Sequence, residues 1–232
     1  MEAKGKLIIL EAGDASGKET QTRLLYERLL AEGRDVMRVS FPDYDSDSSA
    51  LVKMYLRGDF GAQAADVDAY AASAFFAVDR YASFHTKWGA AYRRGSVVLS
   101  DRYVTSNMAH QAVKLTDTKA RQEYFTWLED FEYVRLGLPR PDLVVFLDMP
   151  PEASDRLLAV RAKETGAVDI HEKDCNYLHR VHDAYAEAAK QFGWARVVCG
   201  EGAVPRTPET IAEDVYAAVL PVLGEKETDV HD

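Results

Sequence analysis

The residues best suited to chemistry come early in the chain, in Glu11-Ala12-Gly13-Asp14-Ala15-Ser16-Gly17-Lys18-Glu19-Thr20. The apolar run Leu7-Ile8-Ile9-Leu10 precedes them and a helical pattern follows at once, giving a strand, a small-residue loop and a helix start. Such a loop turns backbone N–H groups and the positive end of a helix toward a phosphate chain, and the lysine adds a point charge. Small side chains are needed because the backbone itself must approach the anion. The strict pattern Gly-x-x-x-x-Gly-Lys-Ser/Thr is departed from twice, with Ala12 at the first glycine and Glu19 where a hydroxyl would hold Mg²⁺. Residues Ala12, Gly13, Asp14, Ala15, Ser16, Gly17, Lys18, Glu19 and Thr20 are the candidate triphosphate cradle, although a tight strand-to-helix turn with an exposed Gly-Lys pair fits the same run.

Two further constellations point the same way. Asp101 and Arg102 follow the run Val97-Val98-Leu99, and the carboxyl end of a strand in an open α/β sheet faces the ligand crevice. Arginine can hold a phosphate by two parallel bonds, and aspartate can hold hydrated Mg²⁺. Phe76 and Arg80 stand four apart in a helical stretch, so they share one face and can offer a flat apolar surface and a planar donor to one ring.

Taken together, Asp101-Arg102-Tyr103-Val104-Thr105-Ser106-Asn107-Met108-Ala109-His110-Gln111, Phe75-Phe76-Ala77-Val78-Asp79-Arg80, Phe41-Pro42-Asp43 and Leu138-Pro139-Arg140-Pro141-Asp142-Leu143 resemble the motifs of thymidylate kinases over the whole length of the domain. The resemblance implies transfer of the ATP γ-phosphoryl to dTMP with Mg²⁺, in a homodimer. It implies dTMP contacts from Asp14, Phe41, Phe76, Arg80, Arg102, Ser106, His110 and Gln111, with Phe76 stacked on thymine and Asp14 at the sugar 3′-hydroxyl. Lys18, Asp101 and Arg102 would be catalytic, and the metal would lie near Asp101, with Glu19 either turned away or a direct ligand.

The match departs from the family at particular positions. Family members carry a catalytic arginine in the phosphate loop or in the lid; Ala15 and Ser16 leave only the lid, where Arg161 or Arg156 would stabilise the transition-state charge, Arg161 standing as the catalytic candidate and Arg156 as an ATP contact. Ile170 removes one expected cation there. Tyr44 replaces an arginine, and His110 an aromatic residue beneath the deoxyribose, which leaves acceptor choice open. A related kinase with another acceptor or a polyphosphate donor, or a noncatalytic ATP-binding homologue favoured by Glu19, fits the same motifs.

The elements that must position these residues are legible as alternating periods. Strands are expected at Lys6–Glu11, Asp35–Phe41, Ser96–Ser100, Leu143–Leu147 and Ala195–Cys199, and their near-continuous apolar runs suit a sheet covered on both faces. Helices are expected near Gly17–Glu32, Ala69–Arg94, Lys119–Val134, Pro151–Lys163, Cys175–Phe192 and Pro208–Val222. The class is α/β: a P-loop fold with a five-stranded parallel sheet flanked by helices, one kinase domain over residues 1–224 with a small lid at about 156–174, and a charged tail at 225–232.

Composition narrows the alternatives. A net charge of −10 argues against a nucleic-acid surface. No stretch is apolar enough to span a membrane and the N-terminus lacks a secretory pattern, so the expected location is the cytoplasm. Cys199 sits in an apolar run and reads as a buried thiol. His171, Cys175, His179 and His182 do not form a closed zinc-ligand pattern and read as surface groups.

Overall fold

The computed structural model describes residues 4–165 and 175–224. Strand β1 (Lys6–Glu11) leads into helix α1 (Lys18–Ala31), followed by β2 (Val36–Ser40), α2 (Ala50–Arg57) and α3 (Ala69–Ser83). A π-helical turn at Phe84–Trp88 joins α3 to α4 (Gly89–Arg93), and β3 (Val97–Asp101), α5 (Val104–His110) and α6 (Thr118–Glu129) follow. The chain continues through β4 (Leu143–Asp148), α7 (Pro151–Thr165), α8 (Cys175–Phe192), β5 (Ala195–Val198), the short pair β6 (Gly200–Glu201) and β7 (Val204–Pro205), and α9 (Pro208–Leu223).

The five main strands form one parallel sheet in the order β2-β3-β1-β4-β5. Leu7, Ile8, Ile9 and Leu10 of β1 have no exposed surface, because alternate side chains enter cores on opposite faces of the sheet. Ile8 and Leu10 pack with Leu25 and Leu29 of α1 and Ile211, Val215 and Val219 of α9. Leu7 and Ile9 pack with Trp88, Tyr92, Tyr124 and Leu128 on the other side. Full burial of such aliphatic side chains contributes about 1.5–3 kcal/mol each.

Register places the chemistry. Leu10 pairs with Asp101, Ser40 with Asp101, and Glu11 with Phe146, so the carboxyl ends of β1, β2 and β3 open side by side. The strand order reverses beside β1, where open α/β sheets form their ligand crevice.

All five expected strands are present, the first with the bounds expected and the others with ends shifted by at most a residue. The helix expected across Ala69–Arg94 is interrupted by the π turn, where a Cβ on Gly89 would meet the Phe84 carbonyl oxygen at 2.4 Å. The helix expected to run to Val134 passes at Asp130 into a second π turn ending at Arg135. Neither α2 nor α5 was anticipated. Every residue of α5 is buried, so it has no polar face to reveal a helical period. The central lid residues 166–174, including Ile170 and His171, and the tail 225–232 lie outside the described residues.

Candidate active site

The phosphate loop forms as its residue types dictate. Gly17 takes φ +76° immediately before α1, and no side chain caps that helix, so its first N–H groups are left for a ligand. Ala15 also takes a left-handed φ of +55°, a conformation that is strained for a residue with a Cβ. The Oγ of Ser154 on α7 donates to the Asp14 carbonyl at 2.6 Å and tethers the loop.

Above the loop is a cleft of about 490 Å³. Lys18, Glu19 and Thr20 line one end, Phe41, Phe76, Arg80, His110 and Gln111 the other, and Asp101 and Arg102 lie between them. Its volume falls within the roughly 300–1,000 Å³ of small-molecule sites. Lys18 Nζ lies 3.2 Å from Asp101 Oδ1.

Arg102 sits at φ +67° with its amide donating to Leu10 O at 3.2 Å, while Ser100 Oγ donates to Arg102 O at 2.6 Å. Its Nη2 is paired with the Asp14 carboxylate, and its Nη1 reaches Tyr185 Oη at 3.2 Å and His110 Nε2 at 3.0 Å. Burial works against the Arg102 charge, but Asp14, with smaller help from Tyr185, Glu11 and Asp101, holds its pKa above the ordinary value.

Glu11 braces the site from beneath. It is fully buried and accepts from Tyr103 N at 3.1 Å, Thr105 Oγ1 at 2.5 Å, Ser106 Oγ at 2.7 Å and Tyr185 Oη at 2.9 Å. Burial raises its pKa against the opposing pull of Arg102, of the Thr105 and Ser106 hydroxyls and of Lys18. The Ser106 hydroxyl, expected to face the acceptor, is thus directed to Glu11, although the residue lines the cleft.

At the acceptor end, Phe76 is half-buried and edge-on to Tyr55, with centroids 6.2 Å apart. Phe41 leans on Tyr103, with centroids 6.0 Å apart. Arg80, which also lines the cleft, is held by Glu132 through Nε at 2.7 Å and Nη2 at 2.5 Å, while Nη1 donates to Tyr103 O at 3.3 Å. Burial opposes its charge, and Glu132 more than compensates, so its pKa lies above the ordinary value. Gln111 is fully buried, lines the cleft, and neither end of its amide has a partner among the described residues. Asn107 Nδ2 is in the same position.

Asn107, Glu11, Tyr185 and Glu132 were missed by sequence reasoning. Asn107 had a signal, since it stands four before Gln111 in the segment that follows Asp101-Arg102. Of the lid candidates, Arg156 is exposed on α7 and does not line the cleft, whereas its neighbour Leu157 does. Arg161 belongs to α7 one turn after Leu157, and its side chain is outside the described residues. Glu19 is exposed at the cleft mouth, and Tyr44, also exposed, lines the opposite rim. The histidines of α8 face carboxylates: His179 Nε2 is 3.0 Å from Asp155 Oδ2, and His182 Nε2 is 2.8 Å from Asp148 Oδ1. Cys199 is buried, which pushes its thiol up to about 12.

Residues 10–204 match the family model described as thymidylate kinase. The chain is 37% identical over 191 residues to the thymidylate kinase of Mycobacterium tuberculosis, covering 81% of this chain and 87% of that protein. It is 31% identical over 217 residues to the thymidylate kinase of Nitrobacter hamburgensis, covering 93% and 88%. It is 29% identical over 216 residues to a probable thymidylate kinase of Pyrococcus abyssi, covering 93% and 96%.

Proposed function

The chain belongs to the thymidylate kinase family, and from that premise we propose how its cleft moves the γ-phosphoryl of ATP onto dTMP to give dTDP. One observation carries the assignment of roles: a single cleft joins an uncapped helix N-terminus and Lys18 to a pocket lined by Phe76, by the unpartnered Nδ2 of Asn107 and by the unpartnered amide of Gln111. Buried polar groups without protein partners are the means by which a site selects a ligand that satisfies them.

Phosphoryl transfer asks for positioning and charge stabilisation more than covalent chemistry. The N–H groups of the loop and of α1 hold the triphosphate, and Lys18 follows the transferring group. Arg102 clamps the acceptor phosphate. Phe76 stacks on the base, Arg80 Nη1 and the amides of Asn107 and Gln111 read its edge, and Asp14 faces the sugar. Arg161 is the lid cation of this reading, in a catalytic unit spanning residues 1–224.

The cleft suits Mg²⁺, since Asp101 lines it and supplies the hard carboxylate oxygens that this ion takes. Asp101 would hold it, directly or through water, where it would neutralise charge on the phosphate oxygens. A homodimer belongs to this reading too. Val78 and Tyr81 stand three apart on α3 and are both exposed, so they offer one apolar face that a partner copy would cover. Among the described residues no helix is long and apolar enough to cross a membrane, which agrees with a cytoplasmic place of action.

The test is purified protein with ATP, Mg²⁺ and each nucleoside monophosphate in turn, the diphosphates being separated and quantified. dTMP is expected to be the best acceptor, and Phe76→Ala to raise its KM about tenfold, as the loss of one stacking contact requires. Preferential phosphorylation of AMP or GMP, or an unchanged KM in the variant, would overturn the pocket assignment.

A further inference from the structure

We propose that His110 is a positioning residue for Arg102, acting as a neutral imidazole that carries its proton on Nδ1 and accepts a hydrogen bond through Nε2. The inference rests on the reading of Arg102 as the clamp on the acceptor phosphate.

A guanidinium has five N–H donors and no acceptor. With Arg102 Nη1 3.0 Å from His110 Nε2, the imidazole nitrogen must supply the lone pair, and a neutral ring then holds its proton on Nδ1. The remaining partners of Arg102 complete a count. Both Nη1 hydrogens are engaged by His110 and Tyr185, with the Ala12 carbonyl at 3.5 Å as a further neighbour. One Nη2 hydrogen goes to Asp14. Among the described residues the Nε hydrogen and the second Nη2 hydrogen have no partner. Free donors on a planar guanidinium of this kind suit the oxygens of a phosphate. His110 therefore helps decide which edge of Arg102 faces the ligand.

Protonation would reverse this contact. A second proton on Nε2 places an N–H donor against an N–H donor and a cation 3.0 Å from another. Tyr185 on α8 meets the imidazole edge-on with centroids 5.7 Å apart, and the Tyr177 hydroxyl donates to the His110 carbonyl at 2.5 Å rather than to the ring. Asp14 lies beyond Arg102 and is paired with it, and Glu11 lies beyond Tyr185 with four donors of its own. Acidification should turn the guanidinium out of register and weaken acceptor binding, leaving the loop that holds the triphosphate unaffected.

The experiment compares wild type with His110→Gln, whose amide oxygen can accept from Arg102 without titrating, and with His110→Leu, which fills space without accepting. KM and kcat for dTMP are measured at saturating ATP from pH 5.5 to 8.5. The second ionisation of the dTMP phosphate, near pH 6, bends every profile alike, so the difference between proteins isolates the imidazole. The expected result is a dTMP KM that rises on acidification at least about fivefold more in wild type than in His110→Gln, with no such difference in the KM for ATP. At pH 8, His110→Leu should raise the dTMP KM about tenfold with a smaller change in kcat, and His110→Gln should recover most of that loss. Parallel profiles in wild type and His110→Gln, or a wild-type KM in His110→Leu, would overturn the proposal. Nitrogen-15 spectra of histidine-labelled wild type supply a readout that needs neither turnover nor a folded variant. Nε2 should carry no proton at pH 8, and an Nε2–H tautomer would overturn the assignment. Absence of dTMP turnover in wild type would instead count against the Arg102 reading, leaving the tautomer measurement to judge His110.

Discussion

Replacing Glu132 with glutamine keeps the shape of the side chain but removes its charge and turns one of its two acceptor oxygens into an N–H donor, which strands the guanidinium of Arg80 at 1% exposure. Of the two contacts, at 2.7 and 2.5 Å, one loses its ionic character and the other sets donor against donor. Removing one partner of a buried pair costs about 3–5 kcal/mol, because the other charge stays desolvated and uncompensated. In a domain of this size each kcal/mol lowers Tm by about 2–4 °C, so Glu132→Gln should melt about 6–20 °C below wild type. The double variant Arg80→Met with Glu132→Leu removes both charges, and most of the stability should return. The same double variant also takes Nη1 away from the base pocket, so its KM for dTMP should stay at least about tenfold high while its KM for ATP does not move. Thermal unfolding followed by steady-state kinetics on the three proteins separates the two effects. A Glu132→Gln protein melting within about 2 °C of wild type would refute the buried ionic clamp. A double variant with a wild-type dTMP KM would refute the role of Arg80 in reading the base.

Lys18→Ala should cut turnover at least about 100-fold while leaving the fold intact, since it removes charge aimed at the transferring group; a near-normal rate would sink the phosphate-loop assignment. Glu19→Thr should keep or improve activity at low Mg²⁺, because Glu19 is exposed at the cleft mouth; loss of turnover in a folded variant that still binds ATP would make Glu19 a participant. His182→Leu tests the pairing with Asp148 through its pH dependence. The Asp148 hydrogen bond raises the His182 pKa, so that stabilisation is complete below the unfolded value of about 6.5 and fades as pH rises through the higher folded one. The bond from His182, aided by Arg196, lowers the Asp148 pKa, so that stabilisation holds above about pH 4 and fades as pH falls through the depressed folded value. The variant should therefore lose on the order of 1 kcal/mol at pH 5.5 and clearly less at pH 8.5 in denaturant titrations, and equal losses at both would exclude the pairing.

What the sequence made legible was what depends on neighbours in the chain. The five strands announced themselves because apolar runs bounded by polar loops have few other uses, and the glycine-lysine loop because its spacing is set by backbone approach to an anion. Phe76 and Arg80 could be paired through helical spacing alone. The clamp on Arg80 could not, because Glu132 is 52 residues away and sits in a π turn that breaks the period. Glu11 was visible only as the last residue of a strand, and its four donors come from two separate segments. His110 was flagged as a substitution in a recognised segment, but its contact with Arg102 depends on the left-handed backbone that aims the arginine.

The pairing of Lys18 with Asp101 and of Arg102 with Asp14 means that the resting cleft is electrically self-contained. Its lining sets Lys18, Arg80 and Arg102 against Asp14, Glu19 and Asp101, three charges of each sign. At Lys18 an anion enters as an ion enters an exchange resin, by displacing the carboxylate of Asp101, whereas at Arg102 it adds to donors that Asp14 does not occupy. In both places the counter-ion is a tethered carboxylate that cannot diffuse away, so every phosphate that captures Lys18 or Arg102 has a negative charge beside it. A bare triphosphate and the same triphosphate carrying a divalent cation are then two different ligands to this protein, and the arrangement favours the guest that arrives with its own positive charge.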